Sequence, residues 1–209
     1  MATPTNPADG LPRCPWPGND ALYIAYHDNE WGRPMLSDTR LFEKICLEGF
    51  QSGLSWITIL RKREHFREVF HGFDIPTVAA MTEADIERLV LDPGIIRHRG
   101  KITATVNNAK AALKVQAEFG SLAAFFWRFE PKPGHRAEDY SWSALSAVAQ
   151  TDMSRAMSKD LLKRGFKFVG PTTCYAFMQS MGMVNDHTDE CFCRPEVEAE
   201  RAALVRPHR

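Results

Sequence analysis

The sequence predicts an all-α protein, and three observations carry that expectation. Apolar residues recur at helical spacing in several segments, capping residues and glycines punctuate those segments, and alternating strand patterns are nearly absent. The first helix is expected after Ser37, a capping residue, with Leu41, Phe42, Ile45 and Cys46 at helical spacing. Thr82 precedes a shorter amphipathic run, with Ile86, Leu89 and Val90 on one face and Glu83, Asp85 and Glu87 near its start. The stretch from Ile102 to Phe119 is rich in alanine and ends at Gly120, a glycine stop. Asp152 to Lys163 and Thr172 to Met181 complete the set, while Pro131, Pro133 and Gly134 mark a loop. The expected body is a single domain over 13–195, undivided or in two lobes around a cleft, between flexible tails at 1–12 and 196–209.

Its 209 residues, 44% hydrophobic and 25% charged, suit one well-buried domain. They exclude a disordered chain, a fibre and a disulfide mini-scaffold. The 26 basic and 26 acidic side chains cancel, so any polyanion site must be a local patch or a set of backbone amides. No stretch approaches the roughly 18 apolar residues of a membrane span. The proline-rich start reads as neither signal peptide nor anchor. Five scattered cysteines without a leader suit a reducing cytosol, as core residues or metal ligands.

Three local patterns carry chemistry. Between Leu161 and Thr173, Gly165 is a left-handed helix stop, Gly170 permits close backbone approach, and Pro171 suits a first helical position. That turn is either an ordinary connection or a hairpin whose backbone amides grip a phosphate, with Lys163, Arg164 and Lys167 beside it. Two further basic clusters, Arg61-Lys62-Arg63 with Arg67 and Arg97-His98-Arg99 with Lys101, are solvated faces or part of the same surface. Cys14 with His27, and His187 with Cys191, compose two thiolates and two imidazoles, the donor set of a closed structural zinc site. Cys46, Cys174, Cys193, His65, His71 and His98 compete for that role. Glu48 lies seven residues after Leu41, hence within about 20° of it around a helix, aimed at the interior. Trp16, Tyr23, Tyr26 and Trp31 precede it and Trp56 follows. This is core with one solvated acid, or an aromatic slot with one hydrogen-bond acceptor for a planar base.

Several motifs resemble the DNA-3-methyladenine glycosylase I family of bacteria. They are Tyr23-Ile24-Ala25-Tyr26-His27-Asp28-Asn29-Glu30-Trp31-Gly32, the run from Cys46 to Ile57, Gly94 to Ile102, Lys163 to Tyr175, and Val184-Asn185-Asp186-His187. The resemblance runs from about Cys14 to Cys193, and is weakest from Glu130 to Val148. It implies the helix-hairpin-helix DNA glycosylase fold and one structural zinc on Cys14, His27, His187 and Cys191, joining the N- and C-terminal segments. It implies a base pocket of Glu48, Tyr26, Trp31 and Trp56 with Trp16 close by, and Glu48 and Tyr26 as the residues nearest the chemistry. DNA contacts are expected through Gly165, Lys167, Val169, Gly170 and Thr172, with Leu54 nearest the gap left in the duplex. Many relatives in the superfamily carry a catalytic aspartate shortly after the hairpin's second helix. Asn185 takes that place here, with Asp186 one position off, so no water-activating base is assigned beyond Glu48 as a candidate.

The implied activity is hydrolysis of the N-glycosidic bond of 3-methyladenine in alkylated double-stranded DNA. The base flips into the pocket, and an abasic site and the free base result. Stabilisation of a positively charged sugar would fall to Glu48 or the DNA phosphates. The resemblance also implies a cytoplasmic monomer that makes no membrane contact. Two other classes compete, a zinc-stabilised DNA-binding module without catalysis and a hydrolase with zinc in the reaction. A closed four-ligand site opposes the latter.

Overall fold

The helix α2 (Asp38–Gln51) is buried on every side, and the other helices are arranged to bury it. In the computed structural model, which describes residues 9–132 and 138–207, every side chain or glycine from Leu41 to Phe50 is buried. The Ser37 hydroxyl caps it, accepting the Arg40 amide at 3.5 Å. The amphipathic arc read from the sequence is therefore only part of the story. Glu43, Lys44 and Glu48 are buried as well, Glu48 on the same side as Leu41. A helix with no solvated face belongs in the middle of a domain.

Around it lie α1 (Ala21–Asn29), α3 (Trp56–Leu60) and α4 (Arg63–Val69), then α5 (Ile75–Ala79) and α6 (Glu83–Val90). Next come α7 (Arg99–Phe119) and α8 (Leu122–Phe126). The last four are α9 (Trp142–Ser146), α10 (Asp152–Lys163), α11 (Pro171–Ser180) and α12 (Cys193–Ala203). The described residues contain no strand, as the sequence predicts. The helix expected from Thr82 is α6, closed by a reciprocal Thr82–Asp85 capping box. The alanine-rich run is α7, which ends where Gly120 takes φ +84°. Among the described residues no helix is long and apolar enough to cross a membrane.

Polar side chains tie the helices to α2. The Asp38 carboxylate reaches across to α8 and accepts the Leu122 and Ala123 amides at 2.9 and 3.0 Å, orphan donors at that helix's start. At the other end Lys101 is buried and donates to the Phe50 and Ser52 carbonyls at 2.8 and 2.6 Å. Phe50 stacks into a series with Phe66, Phe70 and Phe73 beneath the helix.

The C-terminal tail expected from 196 onward is corrected. That segment continues α12 to Ala203, with Val197 and Arg201 buried. Arg201 donates to Glu130 at 2.8 Å and to the Gly182 carbonyl, so its charge density conceals a structural anchor. The other expected tail lies outside the described residues from 1 to 8. From Asp9 onward it is held by the Arg13 guanidinium, which binds Asp9 and Asp28 together. Gly182, just past α11, has φ +75°, and a Cβ there would stand 2.5 Å from the Pro34 nitrogen and 2.7 Å from the Arg33 carbonyl carbon. Backbone cannot yield as a side chain can. Gly182→Ala is expected to cost about 2 kcal/mol or more, lowering the melting temperature by roughly 4–8 °C in a thermal melt.

Candidate active site

A cavity of about 500 Å³ opens where α1, α2, α3, α9 and α11 converge. Glu48 comes from the C-terminal half of α2, one turn before the chain leaves the helix, and is 5% exposed. Trp16, Tyr26, Trp31 and Trp56 line the same space with it. The sequence-predicted slot is thus assembled from elements that share no helix. Tyr26 and Trp56 face each other at 5.5 Å, and Trp16 bridges to Tyr26 and Trp31 at 6.3 and 5.2 Å. Burial, and then the nearby Glu48 charge, push the Tyr26 phenol well above its ordinary range; the same two causes push Tyr23 up to about 12. Both stay protonated donors at neutral pH.

Glu48 is not alone. Lys44, one turn earlier, places its ammonium 2.9 Å from Glu48 Oε1 and donates to Tyr26 Oη at 2.6 Å. On the α11 side, Asp186 is buried at the cavity wall, with Tyr175 Oη donating to Oδ2 at 2.5 Å and Gln179 Nε2 at 2.9 Å. Burial and the Asp186 charge push the Tyr175 phenol up, so it remains that donor. Asn185 faces the other way. Its Oδ1 lies 2.9 Å from His187 Nδ1, and its amide donates to the Arg194 carbonyl and Glu198.

Behind the slot His27, His187, Cys191 and Cys193 bring one ligand atom each within 4.8 Å of one another. His27 Nδ1 is 2.7 Å from Asp28 and His187 Nδ1 is held by Asn185, so both rings turn Nε2 toward the thiols. His187 Nε2 is buried without a hydrogen-bond partner. A carboxylate or amide oxygen behind each imidazole and a bare inward nitrogen are how metal-binding histidines are held. Burial brings His187 down to about 4, keeping its lone pair free. The donor set fits a metal. A third cysteine, Cys14, lies outside that group of four but is buried against Cys191 and Cys193, its Sγ receiving the Thr188 amide at 3.4 Å.

The turn between α10 and α11 has the expected hairpin form. Gly165 takes φ +92°, and Pro171 opens α11 with Gly170 as its cap. Phe168 also adopts positive φ, at +56°, which the sequence did not announce. Val169 has its side chain fully buried, so only its backbone is available to a ligand. Lys167 and Thr172 are exposed. Leu54 is 39% exposed on the turn between α2 and α3.

Residues 16–194 match the family model described as methyladenine glycosylase. DNA-3-methyladenine glycosylase 1 of Escherichia coli (strain K12) is 53% identical over 186 residues, 88% of this chain and 98% of that protein. The chain belongs to the methyladenine glycosylase family. A crystal structure of a 3-methyladenine DNA glycosylase I superposes with a TM-score of 0.82 at 53% identity, covering 88% of this chain and all of that one. A tyrosine-to-phenylalanine variant of such an enzyme, in complex with 3-methyladenine, superposes at 0.81 with 36% identity, covering 88% and 97%.

The two basic clusters, expected as solvated faces or as part of the hairpin's surface, are largely engaged in ion pairs. Arg63 is bidentate on Glu30, Arg67 binds Glu43, and Arg61 pairs with Asp20. Arg99 binds Glu83 and Glu87, Lys101 caps α2, and Arg164 binds Glu118 and Asp160. These cations serve internal pairs.

The residues that hold the hairpin were missed. Asn107 donates to the Gly165 carbonyl at 2.7 Å, and Asn108 pairs with both backbone groups of Lys167 at 2.8 and 3.0 Å. Two adjacent asparagines inside an alanine-rich helix were the available signal, because amides there suit neither propensity nor a solvated face. Lys44 carried a similar signal as the charge one turn before Glu48. Trp142 carried none, since it reaches the cavity from α9, where the resemblance is weakest. Asn108→Ala leaves the Lys167 amide and carbonyl unpaired. A loss of about 2 kcal/mol, or roughly 4–8 °C in melting temperature, is expected in a thermal melt, with metal content unchanged.

Proposed function

We propose that this chain releases 3-methyladenine from alkylated double-stranded DNA by hydrolysing the N-glycosidic bond, leaving an abasic site. One observation carries the reading at this site. Glu48 opens into an aromatic cavity large enough for a purine, within a chain whose relatives are glycosylases for that base. A damaged base costs less to evert than a paired one, and the enzyme must evert it to reach it. The rings of Tyr26, Trp31 and Trp56, with Trp16 beside them, supply stacking faces. Glu48 accepts from the exocyclic amine, and Tyr26, held protonated, donates.

N3-methylation makes the adenine cationic, so bond cleavage neutralises the leaving base and moves positive character to the sugar. A leaving group of that quality needs little acid catalysis, and selection by fit suffices. Asp186 is an acceptor already engaged by two donors, which argues against it as the free base that takes a proton from water. Leu54 fills the gap in the duplex. The hairpin offers amides from Gly165 to Thr172, with Lys167 beside them, to the phosphate backbone.

The metal is zinc, held by Cys14, His27, His187 and Cys191, and its role is structural. Cys14 is favoured over Cys193 by hydrogen-bond direction. Cys14 Sγ accepts the Thr188 amide at 3.4 Å and lies 3.9 Å from its hydroxyl, while the Cys193 thiol points to the Asp28 carbonyl at 4.0 Å. Four protein ligands leave no position for water, so zinc joins the chain ends and takes no part in hydrolysis. Metal analysis of single variants tests the set. Cys14→Ser and Cys191→Ser are expected to lose the ion, and Cys193→Ser to retain it.

The activity itself is tested by base release from methylated duplex DNA, with the products identified by chromatography. For Glu48→Gln, loss of a charged hydrogen-bond acceptor is worth about 2 kcal/mol, roughly thirtyfold in single-turnover release. Metal content should stay near wild type, while the melting temperature falls because the buried Lys44 ammonium loses its carboxylate.

A further inference from the structure

Lys44 contacts three of the residues that form the slot, and the reading above gives it no part. Its ammonium lies 2.9 Å from Glu48 Oε1, donates to Tyr26 Oη at 2.6 Å, and sits 3.3 Å from the centroid of the Trp56 ring. It is 6% exposed. A lysine is rarely buried so far unless something is gained by its charge.

Two consequences follow from an ammonium in that place. The first is geometric. An ammonium only donates, so Tyr26 Oη is the acceptor in that bond and its own proton is left to point elsewhere. Glu48 is likewise held by Oε1, which leaves Oε2 as the acceptor for a ligand. The second is electrostatic. A slot with Glu48 alone would carry a net negative charge and would hold the cationic adduct more tightly than the neutral base that departs. Binding of that kind stabilises the starting state and slows cleavage. Lys44 offsets the Glu48 charge, and the cavity's other acid, Asp186, is held on the far wall by the neutral donors Tyr175 and Gln179.

The geometry points to Lys44 as a positioning residue that fixes Glu48 and Tyr26 for one base orientation and matches the slot to the neutral leaving base rather than its cation. This rests on the reading of the cavity as the 3-methyladenine slot. Burial pulls the Lys44 ammonium down to about 8, against the opposing pull of Glu48 on its own helix. The other charged or titratable groups facing it are Tyr26 and Glu30 around α1 and Arg63 of α4. With a depressed value the ammonium is charged at neutral pH and loses its proton as pH rises through about 8.

The test compares wild type, Lys44→Met and Lys44→Gln in single-turnover release from methylated duplex DNA, at saturating enzyme and across pH. Binding of free 3-methyladenine is followed by tryptophan fluorescence. Wild type is expected to slow as pH rises through about 8. Lys44→Met should release base about tenfold more slowly at neutral pH, lack that alkaline limb, and bind methylated DNA more tightly than wild type, by up to about tenfold. Lys44→Gln, which still donates to Tyr26, should recover free-base binding but not the alkaline limb. Release by Lys44→Met within twofold of wild type, or an unchanged alkaline limb in either variant, overturns the role of Lys44. Should Lys44→Met fail to fold, Lys44→Gln decides alone by its limb. Wild type that releases no 3-methyladenine would instead sink the reading of the slot itself.

Discussion

Three charged residues lie within ten consecutive buried positions of α2, and much of the structure answers that constraint. Glu43, Lys44 and Glu48 cannot be left unpaired away from water. Glu43 draws Arg67 from α4, and Lys44 binds Glu48 and the Tyr26 hydroxyl from α1. Each pairing fixes the approach of a neighbouring helix, because a charge-assisted bond tolerates little displacement. Replacing the three by hydrophobes of similar size would build an ordinary core. It would also remove the polar groups that a base could address. The positioning of α1 and α4 and the polarity of the slot therefore share one origin.

The second support comes from the Cys/His cluster, which is continuous with the slot's rear wall. Trp31 lies edge-on to His187 at 4.7 Å and stacks on His27 at 6.3 Å, and Trp16 meets His27 at 5.1 Å. Two aromatic walls of the cavity thus rest on the two imidazoles. The cluster unites the segment around Cys14 with that around Cys191, so the chain ends fix the shape of a pocket whose acid comes from α2. α11 completes the coupling. Its first turn belongs to the hairpin and its later residues Ala176 and Gln179 reach the cavity. Ten residues at 1.5 Å each separate the hairpin from the far end of α11 by about 15 Å.

Much of this was legible in the sequence, for reasons that differ by residue. Thr82, Gly120 and Gly165 act locally through caps and left-handed stops, and each sits where local chemistry puts it. The inward aim of Glu48 followed from helical geometry alone. Partners were not legible when they were long-range. Nothing near Asn108 announces that Lys167 is its counterpart, and nothing near Arg201 announces Glu130. The charged stretch after 196 read as solvated for that reason, although α12 buries its arginine in a polar niche. The basic clusters were open in the same way, since a run of arginines looks alike whether or not it binds carboxylates distant in sequence, and Arg61 and Arg99 do so while staying exposed.

That use of arginine bears on how a chain with no net charge engages a polyanion. Ion pairs occupy Arg61, Arg63, Arg67, Arg99 and Arg164, so on the proposed reading the positive character left for DNA would come from backbone amides and from exposed cations such as Arg97 and Lys167. Amide donors at a hairpin do not titrate and would hold phosphate by direction more than by field, which would orient a duplex without demanding a large positive surface. The slot follows the same logic on a smaller scale. Its carboxylate is offset by a lysine, so the cavity distinguishes its ligand through hydrogen-bond direction and stacking. A strong local charge would attract the cationic base and oppose its neutralisation; a balanced pair leaves selection to geometry.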